Sequence, residues 1–200
     1  MKKISKPDSE KNFFEYLKSA LKIIKLDRKT ISEISSDKNA TKFAVLVLII
    51  TSFFSSLIGL LLFPDSYKIV ADTFPFISII DSWFNLIISP ILSLVFLFVW
   101  AVILNLFGKW LGSHGSYMGL FRIFGFTSIL SIFSRIPIIN FLVSIWFIVI
   151  IVVTISENYK LTTGKAFLVY IMPIVMLTVL FILSYMFVFL FLFKSITLFQ

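Results

Sequence analysis

Residues 43–63 read FAVLVLIITSFFSSLIGLLLF, twenty-one positions without a charged side chain. At 1.5 Å per residue, a helix of that length covers about 30 Å, the thickness of a bilayer's hydrocarbon core. Working outward along the chain, four more stretches have this character, at residues 83–107, 118–134, 137–155 and 166–193. The third is short, and the fourth follows it almost at once. The fifth is longer than a perpendicular helix requires, so it tilts or bends at Pro173, and Pro90 offers a kink in the second. The pattern predicts an all-α fold, a polytopic membrane bundle of five transmembrane helices over residues 43–200, behind a basic segment at 1–42.

Composition agrees. The chain is 59% hydrophobic and 14% charged, has a mean hydropathy of +1.04 and carries 25 Phe. Globular proteins hold roughly a quarter charged residues. A core of this size cannot bury so much apolar surface, so lipid must solvate the excess. The first apolar run begins near Phe43 and is too long for the apolar region of a signal peptide.

Charge sets the expected orientation. Eleven Lys and Arg precede the first span. With the N-terminus inside, Lys109, Arg122, Lys160 and Lys165 join them, giving fifteen basic residues inside. Lys68, Arg135 and Lys194 are the three left outside. That asymmetry places the N-terminus in the cytoplasm and the C-terminus outside. The net charge of +8 is then read as affinity for anionic headgroups, with no nucleic-acid partner expected.

Ahead of the spans, Phe13, Phe14, Leu17, Leu21 and Ile24 recur at helical spacing, with Lys11, Lys18, Lys22 and Lys25 on the remaining surface. This predicts an amphipathic helix, lying on the cytoplasmic leaflet or packed on the loops between spans. Thr30 with Glu33 suggests a capping box for a second short helix. The sequon Asn39-Ala40-Thr41 falls on the inner side, so glycosylation there is not expected.

Residues that carry chemistry are few. There is no Cys, a single histidine (His114), and no carboxylate within a predicted span. Thiolate and multi-histidine metal sites, thiol catalysis and intramembrane aspartyl chemistry are thereby excluded. Serines are plentiful, but His114 is the one conventional base and is read as a headgroup-level residue. No catalytic activity and no cofactor are expected. Ser52, Ser55, Ser56 and Gly59, then Gly115 and Gly119, have the spacing of close helix packing. Asn105, Arg122, Asn140 and Lys165 are polar residues at or near membrane depth, where polarity suggests function. For Arg122, one turn into its span, snorkelling to the headgroups is the favoured reading. Trp100 and Trp146 lie too deep to anchor an interface and are read as packing residues.

Residues 115–180 resemble the Yip domain family, named for Ypt/Rab-interacting membrane proteins. The resemblance is carried by Arg122-Ile123-Phe124-Gly125-Phe126-Thr127, by Ile136-Pro137, by Ile145-Trp146, by the loop 156–163 and by Lys165-Ala166. It implies five spans and a cytoplasmic N-terminus, the layout already derived from charge. The Asp-Leu-x-Gly-Pro motif of eukaryotic members is missing, which is similar to the bacterial and archaeal branch and implies the cell membrane of a prokaryote. Gly125 is expected to let a neighbouring helix come close, with Thr127 bonding to nearby backbone.

Two functional readings follow. The leading one is a non-catalytic membrane adaptor or organiser, engaging anionic lipid, a cytoplasmic protein partner or a second copy of itself. The alternative is a transporter or channel for a small solute, ion or lipid, supported by the proline-broken second and fifth spans with Asn105, Arg122 and Asn140.

Overall fold

Apolar runs too long for any soluble core become helices because lipid offers the backbone no hydrogen-bond partners. The computed structural model describes residues 12–62 and 82–198, the side chains at 82–85, 135, 137 and 190–198 excepted. Lys11 and residues 63–81 lie outside the described residues. The order is α1 (Phe13–Ile24), α2 (Arg28–Ser36), α3 (Ala40–Leu62), α4 (Ser82–Trp110), α5 (Tyr117–Thr127), a 3-10 helix (Ser128–Arg135), α6 (Pro137–Tyr159) and α7 (Thr163–Leu198). Among the described residues there is no strand, and five segments are long and apolar enough to cross a membrane.

The spans run close to their expected limits, with informative differences. α6 continues a turn past residue 155 and stops where Lys160 turns left-handed at φ 55°. Pro137 starts it, at the first helical position, where a missing N–H is harmless. The third span is two structures in series, since α5 tightens into the 3-10 helix after Thr127. Its eight residues rise about 2 Å each, so a run of this length still spans the membrane despite its late start.

α5 is the centre of the bundle. It packs against α1, α2, α3, α4 and α6, and every residue from Gly119 to Thr127 is buried. Gly125 is where α3 comes closest: a Cβ there would lie 2.9 Å from both the Cβ and the carbonyl oxygen of Ala44. Thr127 is fully buried and its hydroxyl donates to the Phe124 carbonyl at 3.1 Å. Lipid is as apolar as a core side chain, so close contact of this kind, more than water exclusion, holds such helices together.

Two expectations about the N-terminal segment need correcting. α1 does not rest on loops; one arc of it docks on the spans themselves. Tyr16, Ala20 and Ile23 are its buried residues, with Phe13 and Leu17 beside them, while Phe14 and Leu21 are 74% and 57% exposed. Tyr16 stacks on Phe43 and Phe126, with ring centroids 4.6 and 5.9 Å away. The apolar arc of α1 is wide, and the part bearing small Ala20 fits the bundle most closely. The second correction concerns the cap of α2. The helix starts at Arg28 behind Asp27, whose carboxylate accepts from the Lys29 N–H (3.2 Å) and from Thr30 Oγ1 (2.7 Å). Thr30 therefore serves the cap from inside the helix, because an aspartate ahead of it supplies the stronger acceptor.

Candidate functional site

Polar side chains gather at the two ends of the bundle, in opposite ways. At the end nearest α1 and α2, called proximal here, several are paired off, while the buried hydroxyls of Ser113 and Thr154 have no partner among the described residues. Arg122 Nε donates to Thr41 Oγ1 at 2.8 Å, and its Nη1 donates to the Ser35 carbonyl at 2.5 Å. The residue is 7% exposed, so it does not snorkel. Its depth is set by the α2–α3 corner, which folds over it and brings acceptors to the guanidinium. Ser35 lies in the last turn of α2, where carbonyls lack helical partners, and a cation there also meets the negative end of the helix dipole. Asp37 completes the corner: it accepts from Tyr16 Oη at 2.6 Å and from the Asn39 N–H at 2.9 Å, and its charge attracts Arg122.

α1 is tied in the same manner. Trp146 Nε1, midway along α6, donates to the Ile24 carbonyl in the last turn of α1 at 3.0 Å. Both N-terminal helices thus have an otherwise unpaired carbonyl satisfied by a side chain from a span. Arg28 pairs with Glu157 at 3.1 Å, and Lys160 donates to Ser32 at 3.3 Å.

Tyr159 seals the proximal end. Its ring is buried in a slot made by two glycines: a Cβ on Gly108 or Gly115 would lie 2.6 or 1.9 Å from it. Its hydroxyl donates to Asn105 Oδ1 at 3.2 Å, which gives that amide a structural partner. Asn158 Nδ2 donates to the Ser116 carbonyl at 2.9 Å, above Gly119.

At the distal end, polar groups line open space. A cavity of about 580 Å³ lies between α3, α4, the 3-10 helix and α6, with Tyr170 of α7 at its edge. Nine serines line it, with no charged residue. Three of them, Ser128, Ser131 and Ser134, come from the 3-10 helix. At three residues per turn they eclipse one another and form one ladder, which an α-helix would have spread around its surface. Ser52, Ser55 and Ser56 of α3 face them. Thr51 and Ser128 hydroxyls are 2.8 Å apart, Ser55 donates to the Ser131 carbonyl at 3.1 Å, and Ser56 and Ser89 hydroxyls are 2.6 Å apart.

The residues singled out in the sequence therefore do not converge on one site. Arg122, Gly125 and Thr127 belong to the central packing of α5, Asn105 to a proximal tie and Trp146 to the mid-span tie of α1. Asn140 lies exposed on the distal rim of the cavity, where its Oδ1 accepts from Ser144 at 3.3 Å. Lys165 and His114 are exposed, as are Lys18, Lys22 and Lys25 on the outer side of α1. The cavity is the feature missed. Its signal was the spacing Ser128-x-x-Ser131-x-x-Ser134, a period of three.

The family profile of the Yip1 domain matches residues 23–186, four-fifths of the chain. The chain belongs to the Yip1 domain family. The match takes in α2, the central α5, the Trp146 tie and all the residues lining the cavity, while α1 of this Yip1-domain protein lies almost entirely ahead of it. No curated protein and no solved structure matches the chain.

Proposed function

We propose that this Yip1-domain membrane protein is a non-catalytic adaptor that presents α1 and α2 on the cytoplasmic side to anionic lipid and to a protein partner. The observation that carries the reading is the docking of α1. One arc is fixed to the spans through Tyr16, Ala20, Ile23 and the Trp146 bond. Its other arc leaves Phe14 and Leu21 exposed beside Lys18 and Lys25. A helix held this way presents apolar residues to acyl chains and lysines to headgroups without first having to order. The prevalence of basic residues on that side of the sequence supports its cytoplasmic placement. The absence of catalysis rests on the sequence, with its lone histidine and no Cys.

The cysteine-free chain makes the test clean. A nitroxide at Phe14→Cys or Leu21→Cys, in vesicles containing phosphatidylglycerol, is expected to collide with oxygen more than with a water-soluble relaxant. Reversal of Lys18, Lys22 and Lys25 to Glu is expected to move both labels toward water and to abolish crosslinking of protein partners from α1 in native membranes. If that reversal changed neither labels nor captured partners, the adaptor reading would fail.

A second reading, movement of a small solute, ion or lipid, has the distal cavity in its favour. Against a through-path, the buried residues of α5 stand beneath the cavity, with Phe124 in its lining. Flux in liposomes for wild type and Arg122→Ala tests this, and no flux in either would remove it.

A further inference from the structure

The cavity is graded along the membrane normal. At its distal end stand Ser56, Ser134 and Asn140; toward the middle of the spans Ser52 and Ser93 share the lining with Phe96, Trp100 and Ile148. α4 and α6 both line it, and Phe96, 70% exposed, belongs to the lining on the α4 side. That position is the midpoint of α4, so this exposed part of the lining faces hydrocarbon. A ligand therefore reaches the cavity from within the bilayer.

Its lining also leaves hydrogen-bonding capacity unused. Ser52 is 8% exposed and lines the cavity, yet its hydroxyl has no hydrogen-bond partner among the described residues; the same holds for Ser93 and Tyr170. A serine inside a helix ordinarily bonds back to its own backbone, as Ser128 does to the Gly125 carbonyl at 2.6 Å. An unpartnered hydroxyl facing a cavity within the bilayer is suited to a polar group from a ligand. With no cation in the lining, that group carries no phosphate charge. A volume of about 580 Å³ falls in the range of sites that enclose a small molecule.

We propose that this cavity binds one uncharged glycerolipid of the distal leaflet, with its hydroxyl and ester groups on the serines and its acyl chain passing Phe96 toward the midplane. Hydroxyls both donate and accept, which suits a ligand that offers one O–H and several carbonyls. Phe96, Trp100 and Ile148 then offer the chain an apolar wall beside those serines. This inference is independent of the adaptor reading, which concerns the opposite end of the molecule.

The test uses the full chain in phosphatidylcholine nanodiscs and a diacylglycerol bearing a diazirine in one acyl chain. Photo-adducts are expected to concentrate on cavity-lining peptides of α4 and α6 and to saturate. Unlabelled diacylglycerol should compete them away, and phosphatidylglycerol should not. Ser52→Leu or Ser93→Leu, which fill the space and remove a hydroxyl, should cut the adducts by about ten-fold. Ile50→Ala, in the wholly apolar groove between α3 and α4, should leave them unchanged. Adducts spread evenly over lipid-facing residues, or equal competition by phosphatidylglycerol, would overturn the proposal. So would capture of a second copy's helix in place of lipid. Should the leucine variants fail to fold, the competition experiment on the wild-type chain decides alone.

Discussion

Arg122 in α5 and Ser131 in the 3-10 helix stand nine residues apart on the same span and meet opposite surroundings. Around Arg122, the α2–α3 corner closes until Nε and Nη1 each have an acceptor and little surface is left open. Around Ser131, the neighbouring helices stand back, and hydroxyls outnumber the bonds made between them. Both arrangements place polarity where lipid would otherwise surround it. The first makes the polar group part of the packing, so its loss damages the fold. The second leaves polarity available, so its loss should damage binding and spare the fold.

That difference is open to direct attack. Arg122→Ala removes both donors, strands the Ser35 carbonyl and leaves a void where the stem lay. A loss of about 3 kcal/mol is expected, read by reversible unfolding in mixed micelles with tryptophan fluorescence as the signal. Ser131→Ala should change the same measurement by less than about 0.5 kcal/mol, since its carbonyl still accepts from Ser55. Equal losses would show that both ends are structural and that the contrast is false.

Next in size is Gly125→Ala. The new methyl would meet Ala44 Cβ and its backbone oxygen at 2.9 Å, and backbone cannot move aside as a side-chain tip can. About 2 kcal/mol of destabilisation follows from overpacking at that contact. Gly164→Ala is the control: nothing lies within 4 Å of the added carbon, at the start of α7. It should be neutral or gain a few tenths of a kcal/mol from helix propensity.

How much of this was legible in the sequence differs between the two ends. The spans were, because apolar length is a property of each stretch by itself and needs no knowledge of its neighbours. The close approach at Gly125 was expected for the same reason, a missing side chain in a helix otherwise full of large ones. The docking arc of α1 was not. Phe14 and Leu21 are more apolar than Tyr16 and Ala20, but Tyr16, Ala20 and Ile23 match the shape of the bundle, and shape exists only once α3 and α5 are in place. Arg122 was misread because its distance along the helix from the interface says nothing about a corner folding over it. The serine ladder was overlooked because its period of three aligns only in a 3-10 helix, and α-helical spacing would scatter the same residues.

A smaller effect sharpens the proximal half of the comparison. Trp146→Phe keeps the ring and removes the donor to the Ile24 carbonyl, at a cost of about 1 kcal/mol. Because the tie is local, the change should appear as faster amide exchange in α1 while α5 keeps its protection. Uniform acceleration across the bundle would mean that α1 is an integral part of the fold and not an element fastened to it.

The smallest effect is electrostatic and separates the two ends by pH. At the proximal end, the Thr30 hydroxyl bonded to Asp27 is the main reason that this carboxylate stays below its ordinary value of 3.8, aided by the Thr30 and Lys29 N–H groups. A group with a depressed folded value binds its proton more weakly in the folded chain than in the unfolded one. Its contribution is therefore present above the unfolded value and fades as the pH falls through the folded one. Amide exchange in the first turn of α2 should accordingly rise as the pH drops from about 5 toward 3, after correction for intrinsic rates. Asp27→Asn should flatten that rise, and Thr30→Val should move it to higher pH. The distal cavity has no carboxylate, histidine or lysine in its lining, so exchange in the 3-10 helix should not change over the same range. If it rose in step with α2, acid would be loosening the whole bundle, and the closed and open ends would not be independent.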